Sequence, residues 1–512
     1  MWRYLLLIGL ILQSSLSALS TPALIYSTLD PTSISQHVAF YELYSHTPEG
    51  KQALKHAWGL LQGYQIQEDP ELVWPALDLQ PLISFINRSA QEKPINLGEE
   101  ELLIIEKLGA NLANRKLKGH KIWKLEEALA LDSEELDLAR ALFLAEDEPS
   151  DTLALKARNY EANIDLMALQ ILARLPENPT AEQKVRAIND YVFNEMRFRF
   201  PPHSLYAKDI DMYTLLPSVL DSRRGVCLGV SILYLCLAQR LDLTLEAITP
   251  PGHIYVRYVS PKGEIINIET TARGIDVPSE HYLGLETKAL QQRTIREVAG
   301  LAFMNQAAVC WHRDDPATAI KLYEKGQLFL PDDYLLKMFL GFNYLFLGEK
   351  EKGKKLLQQI EGVIPPHMIT SDSVSEDYLR GHIDADGIQA IYAQVDDSRK
   401  SILTKQKSIE STLATYPLFR QGHFHLAVTW LQLGRYKEAL PILERYIELS
   451  PQDPSANYYL AAIHAERLNY KKAWAYLQAA EALVHAKDHD PRALKELRRS
   501  LEKICPEPIA DS

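Results

Sequence analysis

The feature that most constrains this chain is a 34-residue interval that recurs through its C-terminal part. Pro331 to Pro365 and Pro417 to Pro451 are each separated by that spacing. A frame laid on Gly434-Arg-Tyr436-Lys-Glu-Ala439-Leu puts Leu426 and Ala427 in a first helix, Ala439 and Leu443 in a second, and Pro451 at the close. It also fits 454–487, through Leu460, Ala461, Tyr470 and Ala473. Two earlier units follow it as well, 300–333 through Ala307 and Ala319, and 334–367 through Leu340, Gly341 and Gly348. A degenerate copy is expected at 386–419, after an insertion at 368–385, and a charged capping helix and tail at 488–512. One helix pair cannot bury its own apolar face, so units of this period must stack into an all-α solenoid.

Upstream the pattern differs. Residues 21–118 read as mostly helical, with turns at Pro70, Pro75, Pro81 and Pro94, and suggest no function. Amphipathic helices are expected at 125–146 and 164–175, and another from Thr180 as N-cap to about Glu195. A helix then opens at Cys227 and closes by Leu241. Three strand-like runs follow at 243–249, 254–260 and 264–270, with Pro261-Lys262-Gly263 as the turn of an antiparallel hairpin. Residues 119–295 therefore read as an α+β unit, a helix plus antiparallel strands.

Chemistry concentrates in that unit. Cys227, His253 and Glu269 supply a thiol, an imidazole and a carboxylate in the order of a cysteine-nucleophile acyl-transfer site. A cysteine in a helix's first turn meets unpaired N–H groups and the positive dipole end, which favour thiolate. His253 follows a Pro-Pro-Gly turn, and the hairpin returns Glu269 beside it, where a carboxylate orients an imidazole. Arg224 adds positive charge near the thiol, Gly225 permits close backbone approach, and Asn267, on the face of Glu269, is a reserve orienting group. Against this stands a plainer possibility for each residue: a cysteine on an apolar helix is often only a small hydrophobe.

The stretch from about Leu136 to Leu285 resembles the transglutaminase-like superfamily, and in particular a bacterial branch fused to tetratricopeptide repeats. The resemblance rests on Ala141-Leu-Phe-Leu-Ala145-Glu, Ala187-Ile-Asn189-Asp-Tyr-Val-Phe193 and Val219-Leu-Asp221-Ser-Arg-Arg-Gly225-Val-Cys227-Leu. It continues through Leu237-Ala-Gln-Arg240-Leu, Pro251-Gly252-His253 and Ile268-Glu269-Thr-Thr. It implies a papain-like α+β core and the roles of nucleophile, base and orienting acid for Cys227, His253 and Glu269. Many relatives carry proline where Cys227 stands; where relatives often have Asn-Ser this chain has Tyr213-Thr214, so Tyr213 is the guess for a second oxyanion donor. The acid here is glutamate in place of the usual aspartate.

Composition narrows the partners. With 512 residues, 46% apolar and 24% charged, the chain has room for several cores. A net charge of −12 leaves no basic footprint for nucleic acid or an anionic membrane. Residues 1–20 read as a secretory signal peptide, with Arg3, an apolar Tyr4 to Leu12 run too short for a bilayer, and Ala18-Leu19-Ser20 at the cut. An exported protein, periplasmic or secreted, follows, with no stable membrane insertion after cleavage. No metal or cofactor is indicated. Cys227 and Cys236 lie about 13 Å apart on one helix and cannot bridge; Cys310 and Cys505 have no evident tie. Two functions remain: a cysteine hydrolase or acyltransferase (protease, amidase or transglutaminase) whose repeats recruit a protein or peptide, and a catalytically inactive interaction scaffold.

Overall fold

The computed structural model describes residues 22–63, 79–88, 90, 92, 96–146, 149–201, 213–396 and 398–506. The signal-peptide reading of residues 1–20 lies outside them, as does most of the loop before Tyr213.

At the centre of the α+β unit is the helix Cys227–Arg240, buried from Leu228 to Ala238. A helix apolar on every side has to be covered on every side. One cover is a four-stranded antiparallel sheet: β1 (Glu246–Thr249), β2 (Tyr255–Val259), β3 (Ile265–Ile268) and β4 (Gln291–Arg293), in the order β3-β2-β1-β4. In the β2–β3 hairpin Val256 pairs with Ile268 and Arg257 with Asn267, and Gly263 turns the chain at φ +82°. The other cover is helical, led by the 23-residue helix Ser150–Leu172 and by Ala181–Asn189, which continues as a π-turn over Asp190–Glu195. Thr180 caps Ala181–Asn189 through a capping box with Gln183.

The N-terminal helices join this same core: Ile34, Val38, Trp58, Leu82 and Ile105 are buried in one cluster with Leu166, Tyr234 and Ile268. Residues 125–146 do not form the single helix expected. Leu125–Leu129 stops, a 3-10 turn spans Ser133–Glu135, and a new helix runs Leu138–Leu144. The cause is Asp137, 1% exposed, whose carboxylate caps Arg140 N–H and accepts from Asn114 and His120 at 3.0 Å each. A carboxylate held there serves a helix start and not a helix interior. The helix expected at 164–175 begins fourteen residues earlier, at Ser150.

Beyond β4 the named elements among the described residues are all helices. Pairs form from Ile295–His312 with Pro316–Phe329, Tyr334–Phe346 with Lys350–Gln358, Ala385–Tyr392 with Arg399–Thr415, Arg420–Gln432 with Tyr436–Leu449, and Pro454–Glu466 with Tyr470–His485. Arg492–Ile504 closes the row. The first helix starts ahead of the 34-residue frame because Thr294 and Glu297 build a capping box. Small residues sit at the crossings: Gly341 and Gly353 leave room where an added Cβ would meet Leu357 at 2.9 Å and the Gly341 carbonyl at 2.7 Å, respectively. The insertion is ordered around the helix Ser373–Leu379, capped by Asp372. Among the described residues no helix is long and apolar enough to cross a membrane.

Candidate active site

Cys227 is the first residue of the central helix, half-buried, following Val226 in extended conformation. Its position is set by close packing upstream. A Cβ on Gly225 would meet Val230 Cγ2 at 2.5 Å, and one on Gly229 would meet the Tyr213 carbonyl at 2.3 Å. Val226 N–H donates to that same carbonyl at 3.1 Å. Thr270, just past β3, lies 3.1 Å from Ser231 Oγ and donates to the Cys227 carbonyl at 3.4 Å, tying the strand end to the helix start.

His253 and Glu269 meet across the hairpin: His253 Nε2 donates to Glu269 Oε2 at 2.6 Å. Glu269, 5% exposed, accepts three further bonds. Thr271 N–H and Oγ reach Oε1 at 3.1 and 2.6 Å, and Tyr282 Oη reaches Oε2 at 2.5 Å. The Tyr282 ring also stacks on His253, with centroids 5.7 Å apart and planes at 21°. The loop after Glu269 is held by Asn189, whose amide donates to the Gly274 carbonyl at 3.3 Å while its Oδ1 accepts from Tyr234 at 2.9 Å. Gly274, at φ +75°, leaves no room for a Cβ against Asn189.

These contacts set the electrostatics. Burial works to deprotonate His253, but the nearby Cys227 sulfur and the hydrogen-bonded Glu269 carboxylate outweigh it and push the imidazole up to about 10. Burial works to protonate Glu269, but the bonds from His253, Thr271 and Tyr282 outweigh it and bring the carboxyl down to about 2. At neutral pH the pair is imidazolium and carboxylate, beside the Cys227 sulfur. The two displacements differ because each group has partners the other lacks.

The supporting residues named from sequence fall differently. Arg224 is exposed, and next to it Gly225 N–H donates to the Arg199 carbonyl at 3.1 Å. Tyr213 contributes its carbonyl to Val226. Asn267 is fully occupied elsewhere: Oδ1 accepts from Arg257 at 3.0 Å, and Nδ2 donates to the Val277 carbonyl and Ser279 at 2.7 and 3.1 Å. It supports the hairpin and makes no bond to His253. Thr271 and Tyr282 went unnamed in the sequence. The Glu-Thr-Thr run carries a local signal, since a carboxylate two residues before a hydroxyl closes on its own backbone, but no pattern marks Tyr282. None of the four cysteines, Cys310 and Cys505 included, forms a disulfide. Among the described residues no group of three or more His, Cys, Asp or Glu is placed to hold a metal.

A family model described as the transglutaminase-like superfamily matches residues 158–306. A tetratricopeptide repeat model matches 406–454 and 431–491. No curated protein sequence matches the chain. Among solved structures, MamA from Desulfovibrio magneticus RS-1 is similar at 13% identity, over 37% of this chain and 97% of that one, with a TM-score of 0.20. The TPR2AB domain of yeast Sti1 in complex with pHSP90 is similar at 16% identity, over 41% and 90%, with a TM-score of 0.21. The chain thus carries a transglutaminase-like domain, within which Cys227, His253 and Glu269 lie, followed by tetratricopeptide repeats, a module that generally mediates protein–protein interaction.

Proposed function

We propose that this protein is an exported cysteine hydrolase or acyltransferase acting on an amide, with its catalytic unit at 119–295 and the repeats at 300–487 presenting a protein or peptide. The observation that carries the reading is the charged His253–Glu269 pair at 2.6 Å, with the Cys227 sulfur close enough to help raise the imidazole. With Nε2 on the carboxylate, Nδ1 is the ring nitrogen left for the sulfur.

The steps follow from that arrangement. Cys227 attacks the amide carbonyl as thiolate, forming a C–S bond and a tetrahedral oxyanion. The Cys227 backbone N–H, at a helix start where no intrahelical acceptor exists, faces that charge. The imidazolium of His253 gives its proton to the leaving nitrogen as the C–N bond breaks. Neutral imidazole then takes a proton from water, or from an acceptor amine, which attacks the thioester and releases the thiolate. Glu269 stays ionised throughout, and the three other donors on its oxygens keep it aligned. The apolar leader at residues 1–20 supports export, and the acidic net charge of −12 favours a basic partner.

The test is a burst assay with a p-nitrophenyl ester. The parent protein should release one equivalent of p-nitrophenolate rapidly and carry the acyl group on Cys227 by intact mass and peptide mapping. Cys227→Ala and His253→Ala should abolish the burst. A parent protein with no burst and no adduct is the result for a non-catalytic scaffold.

A further inference from the structure

Residues 279–293 run from the site directly into the repeats. Tyr282 stands at one end, bonded to Glu269, stacked on His253, and stacked on Tyr255 at 5.0 Å between centroids. It belongs to the short 3-10 turn Ser279–Tyr282, which has little internal bonding to fix it. Its neighbours are fixed from outside. Arg492 Nη1, from the capping helix, lies 3.0 Å from His281 Nε2, and His489 Nε2 donates to the Gly284 carbonyl at 2.9 Å. Leu285 packs into the cluster of Ile369, Trp474 and Leu477.

Glu286 is gripped most firmly. Its carbonyl accepts from Ile369 N–H at 2.9 Å, and its carboxylate accepts from Thr370 Oγ at 2.7 Å and Ser455 Oγ at 2.5 Å. Lys288 N–H donates to the His367 carbonyl at 2.9 Å. Burial and the nearby Glu286 carboxylate also push the Asp453 carboxyl up to about 6. The insertion, the start of the Pro454–Glu466 helix and the capping segment therefore converge on one stretch of chain. That stretch begins two residues after the phenol that bonds Glu269.

We propose that Tyr282 is a positioning residue of this site, held in place by the tetratricopeptide region through residues 284–289. This rests on the catalytic reading of Cys227, His253 and Glu269, and it makes the repeats a part of the site as well as a recruiting surface. The phenol stabilises ionised Glu269, which stabilises imidazolium, which stabilises thiolate. Loosening the strap moves the hydroxyl off the carboxylate and weakens the whole sequence.

The test is the rate of Cys227 alkylation by iodoacetamide between pH 5 and 9 in the full chain, read by peptide mass. Tyr282→Phe should slow labelling at pH 6 by about tenfold, the scale of one hydrogen bond to a charged group, and move the acid limb to higher pH. Thr370→Val with Ser455→Ala should slow it about threefold in the same direction, and should add nothing to Tyr282→Phe, since both act through one hydroxyl. Glu286→Gln preserves shape and should give a smaller slowing of the same sign, so a fold defect in the double variant leaves the test intact. Parent-like labelling in Tyr282→Phe, while the parent's labelling still needs His253, overturns the inference alone. So does additivity of the strap variants with Tyr282→Phe. Parent labelling indifferent to His253 overturns the catalytic reading and this inference with it.

Discussion

Glu269→Gln is the substitution whose consequence is most fully determined. The side chain keeps its volume and loses its charge, and one oxygen that accepts becomes an NH2 that donates. Whichever oxygen is replaced, a donor now faces a donor: His253 and Tyr282 on one side, Thr271 on the other. The rise of His253 from the ordinary 6.5 to about 10 corresponds to about 5 kcal/mol at 1.36 kcal/mol per pH unit. Two partners hold it up, and the side chain is 23% exposed, so about 2 kcal/mol is a discounted share for the carboxylate. The imidazole midpoint should therefore fall by between about one and two pH units. The sign for stability follows from linkage. His253, raised in the folded state, contributes fully below about 6.5, and its contribution fades as pH rises toward about 10. Glu269, lowered, contributes fully above about 4.5 and loses its contribution as pH falls toward about 2. The stability gap between parent and variant should thus be widest between those limits, near pH 5 to 6. The assay is histidine NMR titration, with His253 assigned by its loss in His253→Ala, alongside urea unfolding at pH 5.5 and 9. A His253 midpoint near 6.5 in the parent, unmoved by Glu269→Gln, would refute the reasoning.

Further expectations follow from the core. Arg240 is fully buried, and its Nε donates to Asp165 at 2.6 Å, so Arg240→Leu removes one of the two arginines, Arg240 and Arg115, that pair this buried carboxylate among the described residues. Urea unfolding should register a loss of about 3–5 kcal/mol. Gly229→Ala would drive a methyl into the Tyr213 carbonyl, and should cost about 1–3 kcal/mol and slow Cys227 alkylation, because the helix start must shift. Gly263→Ala, at φ +82° with open space around it, should cost about 1 kcal/mol through backbone strain alone and leave alkylation unchanged.

How far this fold could be read from sequence depended on the range of the interactions. The repeat frame was legible because small residues at helix crossings and prolines at unit ends recur at one spacing, and Gly341, Ala439 and Ala473 lie at such crossings. The central helix and hairpin were legible through local periodicity and the Pro261-Lys262-Gly263 turn, and the hairpin brings His253 and Glu269 within 2.6 Å. The break at residues 130–137 was hidden because Asp137 is held by Asn114 and His120, partners about twenty residues away. Tyr282 was hidden for the same reason: its turn is set by Arg492 and His489, more than two hundred residues on. Asn267 illustrates the converse. Period two put it on the correct face, but Arg257 across the strand takes its carbonyl oxygen.

The central claim is that Cys227 and His253 form an activated thiolate–imidazolium pair. It is tested most directly by the pH dependence of Cys227 alkylation in the parent and in His253→Ala. The expected result is rapid labelling that persists at pH 6, well below the value of about 8.5 at which an ordinary thiol is half ionised, and that disappears in His253→Ala. Slow labelling that rises only with ordinary thiol ionisation, and is unchanged in His253→Ala, would contradict it.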